Sequence, residues 1–236
     1  MVKAIFFDLD GTLLPMEQDT FVESYFSRLC IKLAPYGFDP KELVKNIWTG
    51  TKVMISNDGS VSNEVAFWNY FKKVYGPDVL QYEPIFREYY ENEFQAVKEV
   101  CGFEAESAKL IAHVKALGYR IILATNPIFP QIATHSRIRW AGLDVNDFEY
   151  VTTYENASYA KPNPLYYQEI LDKTNLKAED CVMIGNDVAE DMVAQSLGMI
   201  VFLLTDHLIS HQQDISLYPH GSFKELYAFI DTLKKG

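Results

Sequence analysis

Apolar and polar positions follow two textures along the chain. Val2-Lys3-Ala4-Ile5-Phe6-Phe7 is a short, mostly apolar run rich in β-formers, as suits a strand buried on both faces of a parallel sheet, and Gly11 ends it. From Pro15 to about residue 100 no convincing strand follows. Phe21, Val22, Tyr25, Phe26, Leu29 and Leu33 recur at three- and four-residue steps, predicting an amphipathic helix over 17–33 that Pro35 and Gly37 terminate. Further helices are predicted over 40–48, from a cap at Ser62 or Asn63 through Val74 to Gly76-Pro77, and over about 83–98. Trp48-Thr49-Gly50-Thr51-Lys52 is expected to connect two of them. Four helices with short connections can bury a small core of their own, so residues 15–99 are expected to form a helical cap.

From Glu104 the texture becomes alternating helix and strand. Helices are predicted over 106–117, 131–140, 163–174, 188–197 and 222–235, and strands over 119–124, 148–152, 181–184 and 199–204. The expected fold is therefore α/β: a Rossmann-like parallel-sheet core with helices on both faces, made of residues 1–14 and 100–236, plus the inserted cap. Asp206 to Gly221, with three of the five histidines, is the least regular segment.

In such sheets reactive groups sit just past the carboxyl ends of strands. Asp8 and Asp10 follow the first strand, and an anionic pair there invites a cation. Thr125-Asn126 follows the 119–124 strand, where a hydroxyl and backbone N–H groups are donors suited to phosphate oxygens. Lys161-Pro162-Asn163-Pro164 sets a cation before a proline-started helix, the two prolines limiting where Lys161 can point. Gly185-Asn186-Asp187-Val188-Ala189-Glu190-Asp191 is an acidic turn after the 181–184 strand.

Composition narrows the possibilities. A chain of 236 residues, 48% hydrophobic, has ample material for a packed interior. The net charge of −11 argues against nonspecific binding to nucleic acid or anionic membrane, leaving a small molecule as the expected partner. Cys30, Cys101 and Cys181 are odd in number and widely spaced, so neither a disulfide framework nor a thiolate metal site is indicated. The first apolar run is cut at Asp8, too early for a signal peptide, and no run approaches a membrane span, so a cytoplasmic location is expected. Oligomeric state is open.

Asp8-Leu9-Asp10-Gly11-Thr12-Leu13 resembles the first motif of the haloacid dehalogenase superfamily in its phosphatase branch, Asp-x-Asp-Gly-Thr-Leu or Val. The other three motifs follow in order: Thr125-Asn126 resembles the second, Lys161-Pro162-Asn163-Pro164 the third in its Lys-Pro-x-Pro form, and the Gly185–Asp191 turn the fourth. The resemblance implies a magnesium-dependent phosphohydrolase acting on a small phosphorylated metabolite. Asp8 would be the nucleophile that takes up the phosphoryl group, and Asp10 the general acid and base. Thr125, Asn126 and Lys161 would hold the phosphate, and Mg2+ would be held by Asp8, Asp10 and the Asn186/Asp187 turn, with Asp191 supporting. Lys161 and the metal would offset the repulsion between Asp8 and a phosphate dianion, roughly 4 kcal/mol at about 4 Å and an effective dielectric near 20.

The fourth motif departs from the usual Gly-Asp start, because Asn186 follows the glycine and Asp187 comes one later. Asp187 with Asp191, Asn186 with Glu190, and Asn186 with Asp191 are all possible registers, Asp187 being the preferred ligand because a carboxylate binds a hard cation better than an amide. Pro127 is an unusual follower of the second motif. The 48–52 stretch is either a specificity loop of the kind such members place between cap helices or a plain connector. A sugar-phosphate mutase shares all four motifs and the cap type. A haloacid dehalogenase lacks the second acid, so Asp10 argues against it, and retention of Asp8, Asp10 and Lys161 argues against a non-catalytic binding module.

Overall fold

The computed structural model describes residues 1–234. In chain order the regular elements are β1 (Ala4–Phe7), α1 (Gln18–Leu33), α2 (Pro40–Ile55), α3 (Asn63–Tyr75), α4 (Glu83–Glu91), α5 (Ala105–Ala116) and β2 (Arg120–Leu123). They continue with α6 (Gln131–Trp140), β3 (Tyr150–Val151), α7 (Pro164–Thr174), β4 (Cys181–Gly185), β5 (Ile200–Leu204), β6 (His220–Gly221) and α8 (Phe223–Thr232).

The six strands form one sheet in the order β3-β2-β1-β4-β5-β6, and each neighbouring pair is parallel. β1 is central: Ala4 stands opposite Arg120 of β2 and Cys181 of β4. Side chains along a strand alternate between faces, so Ile5 and Phe7 pack with α5, α6 and α8 on one side while Ala4 and Phe6 pack with α7 and the Met192–Leu197 turn on the other. β2, β4 and β5 divide in the same way, which explains their nearly unbroken apolar sequences.

Between β1 and α5 every regular element is helical, so the architecture is the expected α/β core with an inserted helical cap. The two crossings between cap and core run side by side, Met16 bridging Cys101 in antiparallel fashion and the Gly102 amide donating to the Pro15 carbonyl at 2.8 Å. The cap rests on the α6 side of the core through edge-on contacts of Phe21 with Phe129 and a tilted stack of Phe94 on Trp140, with ring centroids 6.1 and 4.9 Å apart. No helix among the described residues is long and apolar enough to cross a membrane.

Four expectations are corrected. The 48–52 stretch is neither loop nor connector but the middle of α2, which runs on to Ile55. Thr49 and Thr51 return their hydroxyls to the carbonyls of Lys45 and Ile47, and Gly50 lies against the Phe67 ring, where an added Cβ would come within 2.7 Å. That glycine serves a close helix contact rather than a break. The helix expected over 83–98 breaks at Asn92, whose ψ of −82° leaves the helical region, and continues as a 3-10 segment over Glu93–Val100. The one expected over 188–197 is reduced to a 3-10 turn at Met192–Leu197, because the preceding residues are held as a tight acidic turn. The strand expected over 148–152 is only Tyr150–Val151, flanked by single bonds from the Glu149 and Thr152 amides to Ile121 and Leu123. At the carboxyl end α8 closes at Thr232, and Lys235 of the predicted 222–235 helix lies outside the described residues.

Candidate active site

Strand order brings the carboxyl ends of β1, β2 and β4 together, and the polar turns after them face one cavity of about 770 Å³ between core and cap. Asp8, Asp10, Thr125, Asn126, Asn186, Asp187 and Asp191 all line it. Lys161 enters from beneath, on the chain segment that leads into α7.

Lys161 is the hub. Its Nζ donates to Asp8 Oδ1 at 2.8 Å and to Asp191 Oδ1 at 2.6 Å, with the lysine 1% exposed. Burial acts to lower the Lys161 pKa, but the carboxylates of Asp191 and Asp8 outweigh it and hold the ammonium charged well above the ordinary lysine value. Burial likewise pushes Asp191 up, against the pull of Lys161. Asp191 reaches this position because Gly185 has no side chain: a Cβ there would lie 2.0 Å from Asp191 Oδ2. The same Oδ2 accepts from the Asp187 amide at 2.9 Å and so ties the turn to the lysine.

The structure separates Asn186 from Asp187. Thr12 Oγ1 lies 3.1 Å from Asp8 Oδ2 and 3.1 Å from Asn186 Oδ1, placing the asparagine beside the first aspartate. The Asn186 amide nitrogen donates to the His207 carbonyl at 2.6 Å, which fixes the amide orientation and leaves its oxygen toward Thr12. Asp187 turns back on its own loop: Oδ1 accepts from the Ala189 and Glu190 amides at 2.8 and 3.0 Å, and both oxygens meet His211. Glu190 sits elsewhere, its carboxylate accepting from Asn126 Nδ2 at 3.1 and 3.2 Å.

After β2, the Thr125 carbonyl is pinned by Thr152 Oγ1 at 2.6 Å and Tyr166 Oη at 2.8 Å, and Thr125 itself is buried. Asn126 Oδ1 is buried without a partner. Loss of solvent raises the pKa of Asp10, and the guanidinium of Arg137 opposes it. Arg137 donates Nη1 to Asp10 Oδ2, lies 4.6 Å over the Phe129 ring and is 1% exposed. Asp10 Oδ1 and Arg137 Nε remain without hydrogen-bond partners.

Of the eight residues singled out after the strand ends, Asp8, Asp10, Thr125, Asn126, Asn186, Asp187 and Asp191 line this cavity and Lys161 lies beneath it. Sequence reading did not give roles to Thr12, Arg137 or the 206–211 segment. Thr12 stood inside the first motif. Arg137 carried no signal in the sequence to set it apart from Arg139, since its burial comes from how α6 packs. The 206–211 segment has no periodicity to read, yet it pairs with the acidic turn through Ile209, whose amide donates to the Asn186 carbonyl at 2.9 Å.

The donor set can be tested for a metal. Two acceptor oxygens, Asp8 Oδ2 and Asn186 Oδ1, converge on the single hydrogen that Thr12 Oγ1 can donate, so one of them is left with acceptor capacity. Among the described residues no three His, Cys, Asp or Glu side chains form a ready metal group. A donor set of mixed oxygens, completed by waters, is of the kind a hard cation such as magnesium takes.

Burial pushes Glu190 up to about 7. A folded pKa above the unfolded one penalises the ionised form, so the cost is absent below about pH 4.5 and complete above about pH 7. Glu190→Gln is therefore expected to stabilise the metal-free protein by about 1–3 kcal/mol at pH 8 and to leave it unchanged at pH 4. Denaturant unfolding in chelator at the two pH values checks this; an equal effect at both would refute the burial cause.

Comparison with known proteins adds three findings. The family model for haloacid dehalogenase-like hydrolases matches residues 2–198. Two curated relatives align over nearly the full length: a phosphoglycolate phosphatase of Colwellia psychrerythraea is 25% identical, covering 99% of this chain and 97% of that protein, and a glyceraldehyde 3-phosphate phosphatase of Methanothermobacter thermautotrophicus is 29% identical, covering 91% and 90%. Among solved structures, a 2-haloacid dehalogenase from Pseudomonas syringae superposes with a TM-score of 0.62 at 18% identity, covering 98% of this chain and 99% of that one, a likeness of fold alone.

Proposed function

Because this chain belongs to the haloacid dehalogenase-like hydrolases, we propose that it is a magnesium-dependent phosphatase that hydrolyses small phosphate monoesters through an aspartyl-phosphate on Asp8. The observation that carries the reading is the Lys161 bridge, which holds a buried cation against Asp8 where a phosphate dianion would otherwise be repelled. The second acid of the first motif, Asp10, supports phosphatase over dehalogenase chemistry. Residues 15–99 act as the cap over this site.

An Asp8 carboxylate oxygen attacks phosphorus as the bond from phosphorus to the alcohol oxygen breaks, and Asp10 gives its proton to the departing alcohol. Asp10 then takes a proton from water as that water attacks phosphorus. The bond from phosphorus to Asp8 breaks, releasing inorganic phosphate and restoring both acids. Thr125 and Asn126 hold phosphate oxygens with Lys161, and Asp191 keeps Lys161 in place. The Asp8 carboxylate, the Asp10 carbonyl and the Asn186 amide oxygen would hold the magnesium ion, so Asn186 takes the ligand role in preference to Asp187. When bound, that ion supplies charge neutralisation at the phosphoryl oxygens.

Arg137 sets the orientation of Asp10. Arg137→Met is expected to lower kcat/KM, which reports the first step alone, about 10- to 100-fold on alkyl phosphates, whose leaving group needs the proton, and much less on p-nitrophenyl phosphate. Equal losses on both substrates would show that Arg137 acts on folding and not on proton transfer.

Phosphate release from a panel of monoesters, with and without magnesium, tests the reading as a whole. Hydrolysis that requires magnesium is expected. Conversion of hexose 1-phosphate to hexose 6-phosphate with little free phosphate would replace it by a mutase.

A further inference from the structure

The relatives carry names of small polar phosphates, yet the cavity above Asp8 is of a different character. Its volume of about 770 Å³ lies in the range of pockets that bury a ligand of drug size, far beyond what a two- or three-carbon phosphate fills. The cap wall is mostly apolar, with Thr51 and Gln18 among its polar members: α1 contributes Val22 and Phe26 one turn apart, and α2 contributes Trp48 and Ile55 two turns apart. Phe26 and Trp48 meet across the two helices with ring centroids 5.7 Å apart. None of these four is closed into the core, and Trp48 and Ile55 are 43% and 36% exposed. Apolar side chains left open on the wall of a cavity that ends at a reactive carboxylate are groups that gain from being covered by a ligand.

Charge points the same way. Among the described residues lining the cavity the only Lys or Arg is Arg137, and its guanidinium is committed to Asp10. The charged side chains that the cap contributes are both acidic, Glu17 and Asp19. A second anionic group on the substrate, such as the carboxylate of phosphoglycolate, finds no cation on the cap and two like charges.

Resting on the phosphatase reading above, we propose that this site selects phosphate monoesters of a bulky, apolar alcohol that carries no second negative charge, with Trp48 and Ile55 among the residues that read it. Such a substrate places its phosphate on Lys161 and Thr125 and lays its alcohol along the α1–α2 wall, so that specificity comes from apolar burial.

Steady-state kinetics with magnesium on 2-phenylethyl phosphate, ethyl phosphate and phosphoglycolate tests this, the first two having alcohols of similar acidity. The phenylethyl ester is expected to exceed the ethyl ester about 100-fold in kcat/KM, with phosphoglycolate no better than ethyl phosphate. In Trp48→Ala and Ile55→Ala the ratio of phenylethyl to ethyl ester is expected to fall about 10-fold. A wild-type ratio below about 10, a lead for phosphoglycolate, or ratios unmoved in both variants would overturn the substrate class while leaving the phosphatase intact. Absence of hydrolysis of all three esters would overturn the phosphatase reading and this inference with it.

Discussion

Asp8→Asn is expected to reduce kcat about 10⁴-fold or more on every monoester that the wild-type chain hydrolyses, while the protein stays folded. The amide keeps the shape of the carboxylate and can still accept from Lys161 Nζ or Thr12 Oγ1. It has lost the charge that makes an oxygen nucleophilic. Lys161 keeps Asp191 as a charged partner, so the hub survives and the thermal midpoint should shift little. Steady-state kinetics beside a melting curve checks both halves. Activity retained at about a hundredth of wild type or above would place the nucleophile elsewhere.

Lys161→Met is expected to damage stability and activity together. Removing the ammonium leaves Asp8 and Asp191 facing each other, both buried and without a cation between them. Breaking a buried pair in this way costs about 3–5 kcal/mol, which for a chain of this size lowers the midpoint by roughly 6–20 °C. The pH dependence has a definite sign. Burial already raises the Asp191 pKa, and losing the cation raises it further, so the penalty is present where Asp191 is ionised and shrinks as pH falls and it protonates. The gap between variant and wild type should therefore narrow as pH falls toward about 6, the value to which burial already raises Asp191 in the wild type. Thermal scans at pH 8 and pH 4.5 measure it; a gap that is the same at both, or wider in acid, would contradict the buried-pair explanation.

How much of this was legible in the sequence depended on the kind of signal. β1, β4 and β5 declared themselves because a strand buried on both faces is apolar at every position, and Phe6 and Phe7 serve opposite clusters of the core. The α1 helix was equally plain, with Phe21, Tyr25, Leu29 and Leu33 all buried at four-residue spacing. Gly50 misled the reading of α2, since a glycine chosen for close contact with Phe67 looks the same in sequence as one that ends a helix. Within the site, the acids, Lys161 and the Thr125-Asn126 turn were visible because they follow strands at fixed places. The division of labour between Asn186 and Asp187 was not, because it depends on Thr12 and on His207 and His211, which arrive from distant parts of the chain. Arg137 looked no different from Arg139 until packing turned one of them inward.

Trapping the covalent intermediate tests the central claim most directly. Asp10→Asn removes the base that activates water for the second step, and p-nitrophenyl phosphate needs no acid in the first, so phosphoenzyme should accumulate with that pair. The variant is mixed with radiolabelled p-nitrophenyl phosphate and magnesium, quenched in acid and digested, and the labelled peptide is sequenced. A hydroxylamine-labile label on Asp8 is the predicted result; p-nitrophenol release with no labelled peptide, or a label on any other residue, would contradict it.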